Sequence, residues 1–183
     1  TAEYFTPDFQ RNTDFIYKDN IKTALLYREG YELSNPIIEL NSDEKLKLSF
    51  DDLDAELKSY AYFIVHCNAD WQPSELLPSE YIKGVQEDYI NDYKYSRNTI
   101  FKYIHYNVVF PNSNFLLTKS GNYLLKVYLD DKENIVLTKR FMVNENKATI
   151  AADIHRASNI DDRMYKQEID FTLQYNNYKM QLN

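Results

Sequence analysis

The sequence is short of several residue types at once: one cysteine, three glycines and five prolines among 183 residues. A single Cys excludes an intramolecular disulfide and any thiolate-built zinc site. Three glycines disfavour a glycine-rich phosphate loop or a dinucleotide fingerprint. Basic residues are also in the minority, 21 Lys+Arg against 28 Asp+Glu, for a formal net charge of −7. That balance argues against nucleic acid, whose phosphates need a basic stripe, and against a polybasic membrane surface. No apolar run approaches the ~20 residues of a membrane-spanning helix. There is no G-x-S-x-G elbow, and no carboxylate sits in an apolar setting that would raise its pKa for acid catalysis. The chain opens at Thr1 without Met or a charged-then-apolar leader, so it reads as a mature or trimmed product. A lone Cys fits either redox compartment.

Aromatic residues, by contrast, are abundant: 17 Tyr and 10 Phe, with one Trp. Tyr and Phe favour strands, and Tyr can face core or water through its hydroxyl. The apolar period is 2 almost throughout. Ile21, Thr23, Leu25 and Tyr27 alternate with polar partners until Gly30. Pro36 opens a short Ile37–Leu40 stretch suited to an edge strand, because Pro cannot donate to a ladder. Leu46, Leu48 and Phe50 share a face. Residues 59–67, SYAYFIVHC, are apolar on both faces, as in a central strand covered on both sides. Residues 68–82 hold two prolines and read as a long ordered loop. A weak helical pattern through Ile82, Val85 and Tyr89 is opposed by Gly84, and a strand over 91–97 fits better. Ile100, Ile104, Tyr106, Val108 and Phe110 predict one strand over 99–110. The clearest signal is a hairpin: Tyr123, Leu125, Val127 and Leu129 lead through residues 130–134 to Ile135, Leu137, Phe141 and Val143, with Lys139 the one break.

Short strands separated by turn signals predict an all-β chain with an immunoglobulin-like β-sandwich over residues 21–144, preceded by an N-terminal extension over 1–20. Leu117 to Leu125 resembles the tyrosine-corner approach to strand F, with Tyr123 as the corner. Leu125 stands where antibody domains have their second Cys, and Trp71 lies beyond the strand that should carry a central Trp. The shared feature is therefore architecture, not antibody ancestry. After the polar Asn144–Lys147 stretch, Ala148, Ile150, Ala152 and Ile154 alternate, as do Ile169, Phe171 and Leu173. A lone hairpin is marginal in water, so residues 145–183 are expected to be the first strands of a second, incomplete β-sandwich domain, with their apolar surface exposed.

Candidate chemistry is sparse. Neighbours on a strand point to opposite faces, so His66 and Cys67 cannot close on one ion. Cys67 and His105 could pair only if their strands were adjacent, and no orienting third group is evident. Asp51, Asp52 and Asp54 could hold calcium but lack the spacing and turn glycine of an EF-hand loop. His155 has no nearby ligand set. No cofactor, metal or catalytic residue is therefore expected. The better candidates are the rings of the irregular middle stretch, Trp71, Tyr81, Tyr89, Tyr93 and Tyr95, as a partner-contact or sugar-stacking surface on a rigid sandwich. The alternative is that these rings cover the open end of the core.

Seven strings, in order along residues 20–145, carry a resemblance that covers most of that span: LYREGYEL (26–33), PIIEL (36–40), SFDDLD (49–54), HCNADW (66–71), LLPSEY (76–81), LTKSGNY (117–123) and RFMV (140–143). Together they resemble the N-terminal domain of the plug protein family of the type IX secretion system of Bacteroidetes, formerly a domain of unknown function. The resemblance implies a non-catalytic periplasmic protein, associated with the outer membrane, that docks on and closes the translocon, a β-barrel protein. It implies neither nucleic-acid binding nor membrane insertion, and it transfers no site residue. A carbohydrate- or surface-polysaccharide-binding sandwich is the alternative.

Overall fold

Alternating apolar residues need a second layer to bury against, and the computed structural model, which describes residues 9–175, supplies it. The chain divides after Asn144 into two units. The first contains β1 (Phe15–Ile16), β2 (Ile21–Arg28), β3 (Ile37–Glu39), β4 (Leu46–Asp52), β5 (Tyr60–Cys67), the helical turn α1 (Pro78–Tyr81), β6 (Ile82–Gly84), β7 (Glu87–Tyr89), β8 (Asp92–Tyr95), β9 (Ile104–Phe110), β10 (Phe115–Leu117), β11 (Gly121–Leu129) and β12 (Asp131–Asn144). One sheet runs β2-β4-β9-β8. The other runs β1-β12-β11-β5-β7, with β3 parallel on β12. Reading β2, β4, β5, β8, β9, β11 and β12 as strands A to G without C′, these are the A-B-E-D and G-F-C orders of an immunoglobulin-like sandwich.

The inner faces supply the core. Leu46, Leu48 and Phe50 of β4 and Ile104, Tyr106 and Phe110 of β9 are fully buried against Tyr60, Tyr62 and Ile64 of β5 and the odd residues of β11. Rings dominate. Phe50, Tyr60 and Tyr106 meet mutually at 4.9–5.2 Å, while Phe141 stacks on Tyr123 at 5.1 Å and meets Phe110 edge-on at 5.4 Å. Lys139 occupies an inward position by register, opposite Leu125. Because β12 lies near the sheet edge, its ammonium reaches Asp14 at 3.3 Å.

β5 is covered on both faces, as its composition predicts: on the outer side Ala61 and Cys67 are buried and Phe63 and Val65 partly so, with Tyr128, Ile135 and Tyr17 packed beside Ala61. Residues 10–17 run as a strap along the outer side of the β11–β12 pair. The Lys126 ammonium donates to Gln10, the Arg140 guanidinium to the Asn12 carbonyl and the Arg140 amide to the Asp14 carboxylate. The strap then joins the sheet itself, as β1 pairs with Thr138 and Leu137. Burial pulls the Lys126 ammonium below its ordinary pKa.

The expected alternation through β2 breaks at Thr23 (φ 51°), where a register shift buries Ala24 and exposes Leu25, and two further sequence expectations fail locally. Residues 68–82 are not all loop: Pro78 starts one helical turn, closed by Glu80 accepting from the Leu77 amide. The strand expected over 99–110 starts only at Ile104, because the β8–β9 ladder stops at the Tyr95–Ile104 pair and Asn98 turns the chain at φ 55°. Ile100 is thereby left on a loop, 95 % exposed.

At the Tyr60 end of the sandwich, Asp52 is fully buried. Its carboxylate accepts from Asn20 (2.6 Å), the Asp54 amide (3.0 Å) and the Tyr60 hydroxyl (2.9 Å), and pairs with the Lys58 ammonium (3.0 Å). Burial alone would raise its pKa, but the hydrogen bonds outweigh burial and hold it below the ordinary carboxylate value. Lys58 is gripped a second time, its backbone bonded in both directions to the Tyr106 hydroxyl.

The second unit is a ribbon of β13 (Ala148–Arg156) and β14 (Gln167–Tyr175). Its register pairs Ala148 with Tyr175, Ile150 with Leu173, Ala152 with Phe171 and Ile154 with Ile169, so one face is apolar from end to end. Ile150, Ile154, Ile169 and Phe171 are exposed, Phe171 by 70 %. The other face is polar, with His155 bonded to Asp170 at 2.9 Å.

Replacing Asp52 by Ala takes the acceptor from the buried Tyr60 hydroxyl and from the Asn20 and Asp54 amides, leaving Lys58 only Asp54, and is expected to cost about 3 kcal/mol of unfolding free energy in urea titrations. The depressed folded-state pKa also fixes a direction with pH. The stabilisation from Asp52 is present above the unfolded-state value of 3.8 and is lost as pH falls through the lower folded-state value. Acid unfolding of the unsubstituted chain should therefore steepen below that range, and Asp52→Ala should flatten it.

Candidate partner-contact surface

Three of the strings quoted above, HCNADW, LLPSEY and LTKSGNY, meet at the Cys67 end of the sandwich, and they build structure there. Tyr123, fully buried, donates its hydroxyl to the Lys119 carbonyl at 2.7 Å. This is the tyrosine corner that the sequence suggests. His66 packs edge-on against Tyr123 at 5.0 Å and lies 5.6 Å from Tyr81. Its Nε2 contacts the Ser120 carbonyl at 3.3 Å and its Nδ1 contacts the Ser74 hydroxyl at 2.8 Å. A carbonyl only accepts, so Nε2 carries the proton and Nδ1 accepts from Ser74 in the neutral ring. Gly121 is required here: at φ +145° a Cβ would sit 2.5 Å from His66 Nε2.

The candidate rings divide between three places. Tyr81 is 3 % exposed, and its hydroxyl donates to the Ile64 carbonyl, so this residue belongs to the core and is corrected as a contact candidate. A ring this large on the first turn after Pro78 is drawn inward by the burial it gains. Trp71 is partly covered and bound within the molecule. Asn68 accepts from the Asp70 and Gln72 amides, the turn leaves Trp71 at φ 63°, and the indole lies 4.3 Å from the Arg140 guanidinium that anchors the strap. Tyr89, Tyr93 and Tyr95 are exposed. Tyr89 ends β7, at the edge of one sheet. Ile90, buried, donates its amide to the Tyr60 carbonyl, and the chain then crosses to β8, at the edge of the other sheet. Tyr93 and Tyr95 there stand 5.9 Å apart, edge to face.

Trp71 and Tyr89 are not neighbours. Trp71 follows the Cys67 end of β5, whereas Tyr89 pairs with Ala61, about 20 Å away at roughly 3.3 Å per residue. Sequence proximity misleads because the 68–90 segment travels the length of the sheet. Ile100 and Phe101, the latter 80 % exposed, join the exposed set on the β8–β9 loop. The sequence reading placed Ile100 in a strand and passed over Phe101. The signal available was Arg97-Asn98-Thr99, a polar turn run that should have ended the strand pattern before Ile100.

The reactive candidates do not converge. His66 faces the core and Cys67 the opposite side of the same strand, where burial pushes its thiol pKa up. His105 lies in the other sheet, bonded to Asp51 at 2.6 Å. Asp51 is held by His105, whereas Asp52 and Asp54 share Lys58, Asp52 within its buried network. No cluster of three metal-ligating side chains exists among the described residues. The geometry offers a scaffold locked at one end, with exposed rings along β7, β8 and the β8–β9 loop.

Residues 21–145 match the family described as type 9 secretion system plug protein, 1st domain. Among solved structures, the chain resembles a hypothetical protein from Parabacteroides merdae, at 31 % identity and a TM-score of 0.84. The match covers 94 % of this chain and 44 % of that one, so the chain spans less than half the length of that relative. An alkylpurine DNA glycosylase of Pseudomonas fluorescens, solved with DNA containing an abasic site analog, matches at 8 % identity and a TM-score of 0.36 over 68 % of this chain and 30 % of that one, which carries no argument. No functionally curated protein matches.

If the shared strings serve the tyrosine corner, substitutions there act on stability. Tyr123→Phe removes one hydrogen bond and should cost about 1 kcal/mol by chemical denaturation. Gly121→Ala, forced against the His66 ring at positive φ, should cost more, about 2 kcal/mol.

Proposed function

Because the chain belongs to the type 9 secretion system plug protein family through its first domain, residues 21–145, we propose that it is a non-catalytic periplasmic protein that docks on the outer-membrane translocon barrel and closes it. Family membership carries this reading, and the distribution of functional groups supports it. A stopper requires a rigid body and a contact surface, not a reactive group. The residues best suited to chemistry are each occupied structurally: His66 in the corner, Cys67 behind the sheet, Asp52 in its buried network. Tyr89, Tyr93 and Tyr95 supply adaptable contact area near the edges of both sheets. The carbohydrate alternative draws less support, because the face of Trp71 lies toward Arg140 and the Tyr93–Tyr95 rings meet edge to face instead of forming a flat platform.

The proposal extends to the domain plan. Residues 21–144 form the contact-bearing sandwich, and residues 145–183 are the first strands of a second sandwich whose further strands cover the apolar face of the β13–β14 ribbon. The greater length of the Parabacteroides merdae protein supports this. In the present chain, Ile150→Ser with Phe171→Ser should lower binding of a hydrophobic dye while leaving the unfolding midpoint of residues 9–144 unchanged. A fall in that midpoint would assign the face to the first sandwich instead.

Affinity capture from outer membranes of the source organism is expected to recover a large β-barrel protein. Tyr93→Ala with Tyr95→Ala should reduce recovery several-fold without shifting the melting temperature. Recovery unchanged by the double substitution would move the contact surface elsewhere. Absence of any barrel protein, together with binding of a defined oligosaccharide, would replace the proposal with the carbohydrate reading.

A further inference from the structure

The loop between β8 and β9 has a composition unlike the chain around it. From Lys94 to Tyr103 the sequence is KYSRNTIFKY, with three cations and no acid, in a chain of net charge −7. The ladder is extended past the Tyr95–Ile104 pair by the Ser96 amide donating to the Tyr103 carbonyl and the Tyr103 amide to the Ser96 hydroxyl. The hairpin is thus held up to its last turn. At the apex, Ile100 and Phe101 are almost wholly in water, although two large apolar side chains gain most from leaving it. Arg97 and Lys102 flank them, Lys94 lies farther down the hairpin, and all three are exposed without an ion pair among the described residues. Below the cations come the exposed rings of Tyr95 and Tyr93.

We propose that this hairpin tip inserts into an anionic phospholipid surface. The order along the hairpin, apolar apex, then cations, then tyrosines, follows the order a membrane leaflet presents: acyl chains, then phosphates, then the wet interface where amphipathic rings collect. Lys and Arg beside an apolar tip let their stems follow it inward while their charges stay at phosphate depth. The overall negative charge argued against membrane contact, but an exposed charge is screened beyond about 8 Å, so the local segment decides. The nearest loop, after β4, carries Asp54 and Glu56, of which Asp54 is paired with Lys58. The tip sits at the Tyr60 end of the sandwich, whereas the first unit ends at Asn144, beyond the Val143–Gly121 pair of the Cys67 end. This inference is independent of translocon docking, because it needs no protein partner.

Co-sedimentation of the whole chain with vesicles of phosphatidylethanolamine and phosphatidylglycerol, against vesicles of phosphatidylcholine alone, tests it. Binding is expected to the anionic vesicles and to weaken with added salt. Arg97→Glu and Lys102→Glu should each lower the partition coefficient about five-fold or more, and Phe101→Ser more than about ten-fold. Circular dichroism of each variant should match the unsubstituted chain, since the loop lies outside the core. The proposal is overturned by equal binding to both vesicle types, by no binding to either, or by binding indifferent to all three substitutions. It is overturned likewise if Phe101→Ser keeps vesicle binding but loses the barrel captured from outer membranes, which would make the tip a protein contact. Failure of vesicle binding with intact barrel capture leaves the docking proposal standing.

Discussion

The tyrosine corner at Tyr123 is the constraint from which much of this molecule follows. A buried phenol must place its hydroxyl, and the partner available is a backbone carbonyl four residues upstream. Meeting that demand folds the chain before β11 back on itself and brings Ser120 and Gly121 against His66. His66 in turn fixes Ser74, and the Tyr81 hydroxyl ties the helical turn to β5. One hydrogen bond thus organises segments far apart in sequence.

The opposite end is held by a charge instead. Asp52 is surrounded by donors drawn from β5 and from the loops before β2 and after β4. A buried carboxylate without them would be far more costly than an apolar residue of the same size. The two ends therefore differ in kind, an aromatic corner at the Cys67 end and an ionic network at the Tyr60 end. Between them the packing is almost entirely ring against ring and ring against branched chain. Such a core tolerates few volume changes, which suits a body that acts by holding its shape.

Much of this was legible in the residues. The period-2 pattern marked the long strands because burial on one face leaves no other arrangement. The corner was legible because Gly121 and Tyr123 each answer a local steric or hydrogen-bonding demand. The two-sided burial of β5 was legible too, but the strap on the neighbouring β11–β12 pair was not: residues 10–14 are polar by sequence, and they hold the sheet through Lys126 and Arg140, which read as surface cations. The fate of the middle rings was the least legible. Trp71, Tyr81, Tyr89, Tyr93 and Tyr95 are close in sequence, yet the chain between them passes along β5, into the core and across to the other sheet. Ring type says that a side chain gains from a neighbour; it does not say whether that neighbour is Arg140, the core or a partner.

The same distinction governs charge. An excess of seven acids describes the chain at distances larger than the molecule, where it sets solubility and discourages nucleic acid. Contact is decided over a few ångströms, where screening removes distant charges and leaves the nearest ones. On that scale the molecule is heterogeneous. Basic side chains are drawn inward to fasten the strap, as Lys126 and Arg140 do, or spent on buried carboxylates, as Lys58 is. Those beside Ile100 and Phe101 are neither, and a hairpin ladder that continues to its last turn holds them in place around an apolar apex. Exposed apolar surface costs free energy in water, and cations beside it that pair with no acid among the described residues return none of that cost there. Their placement together is accounted for by a surface that offers both hydrocarbon and phosphate.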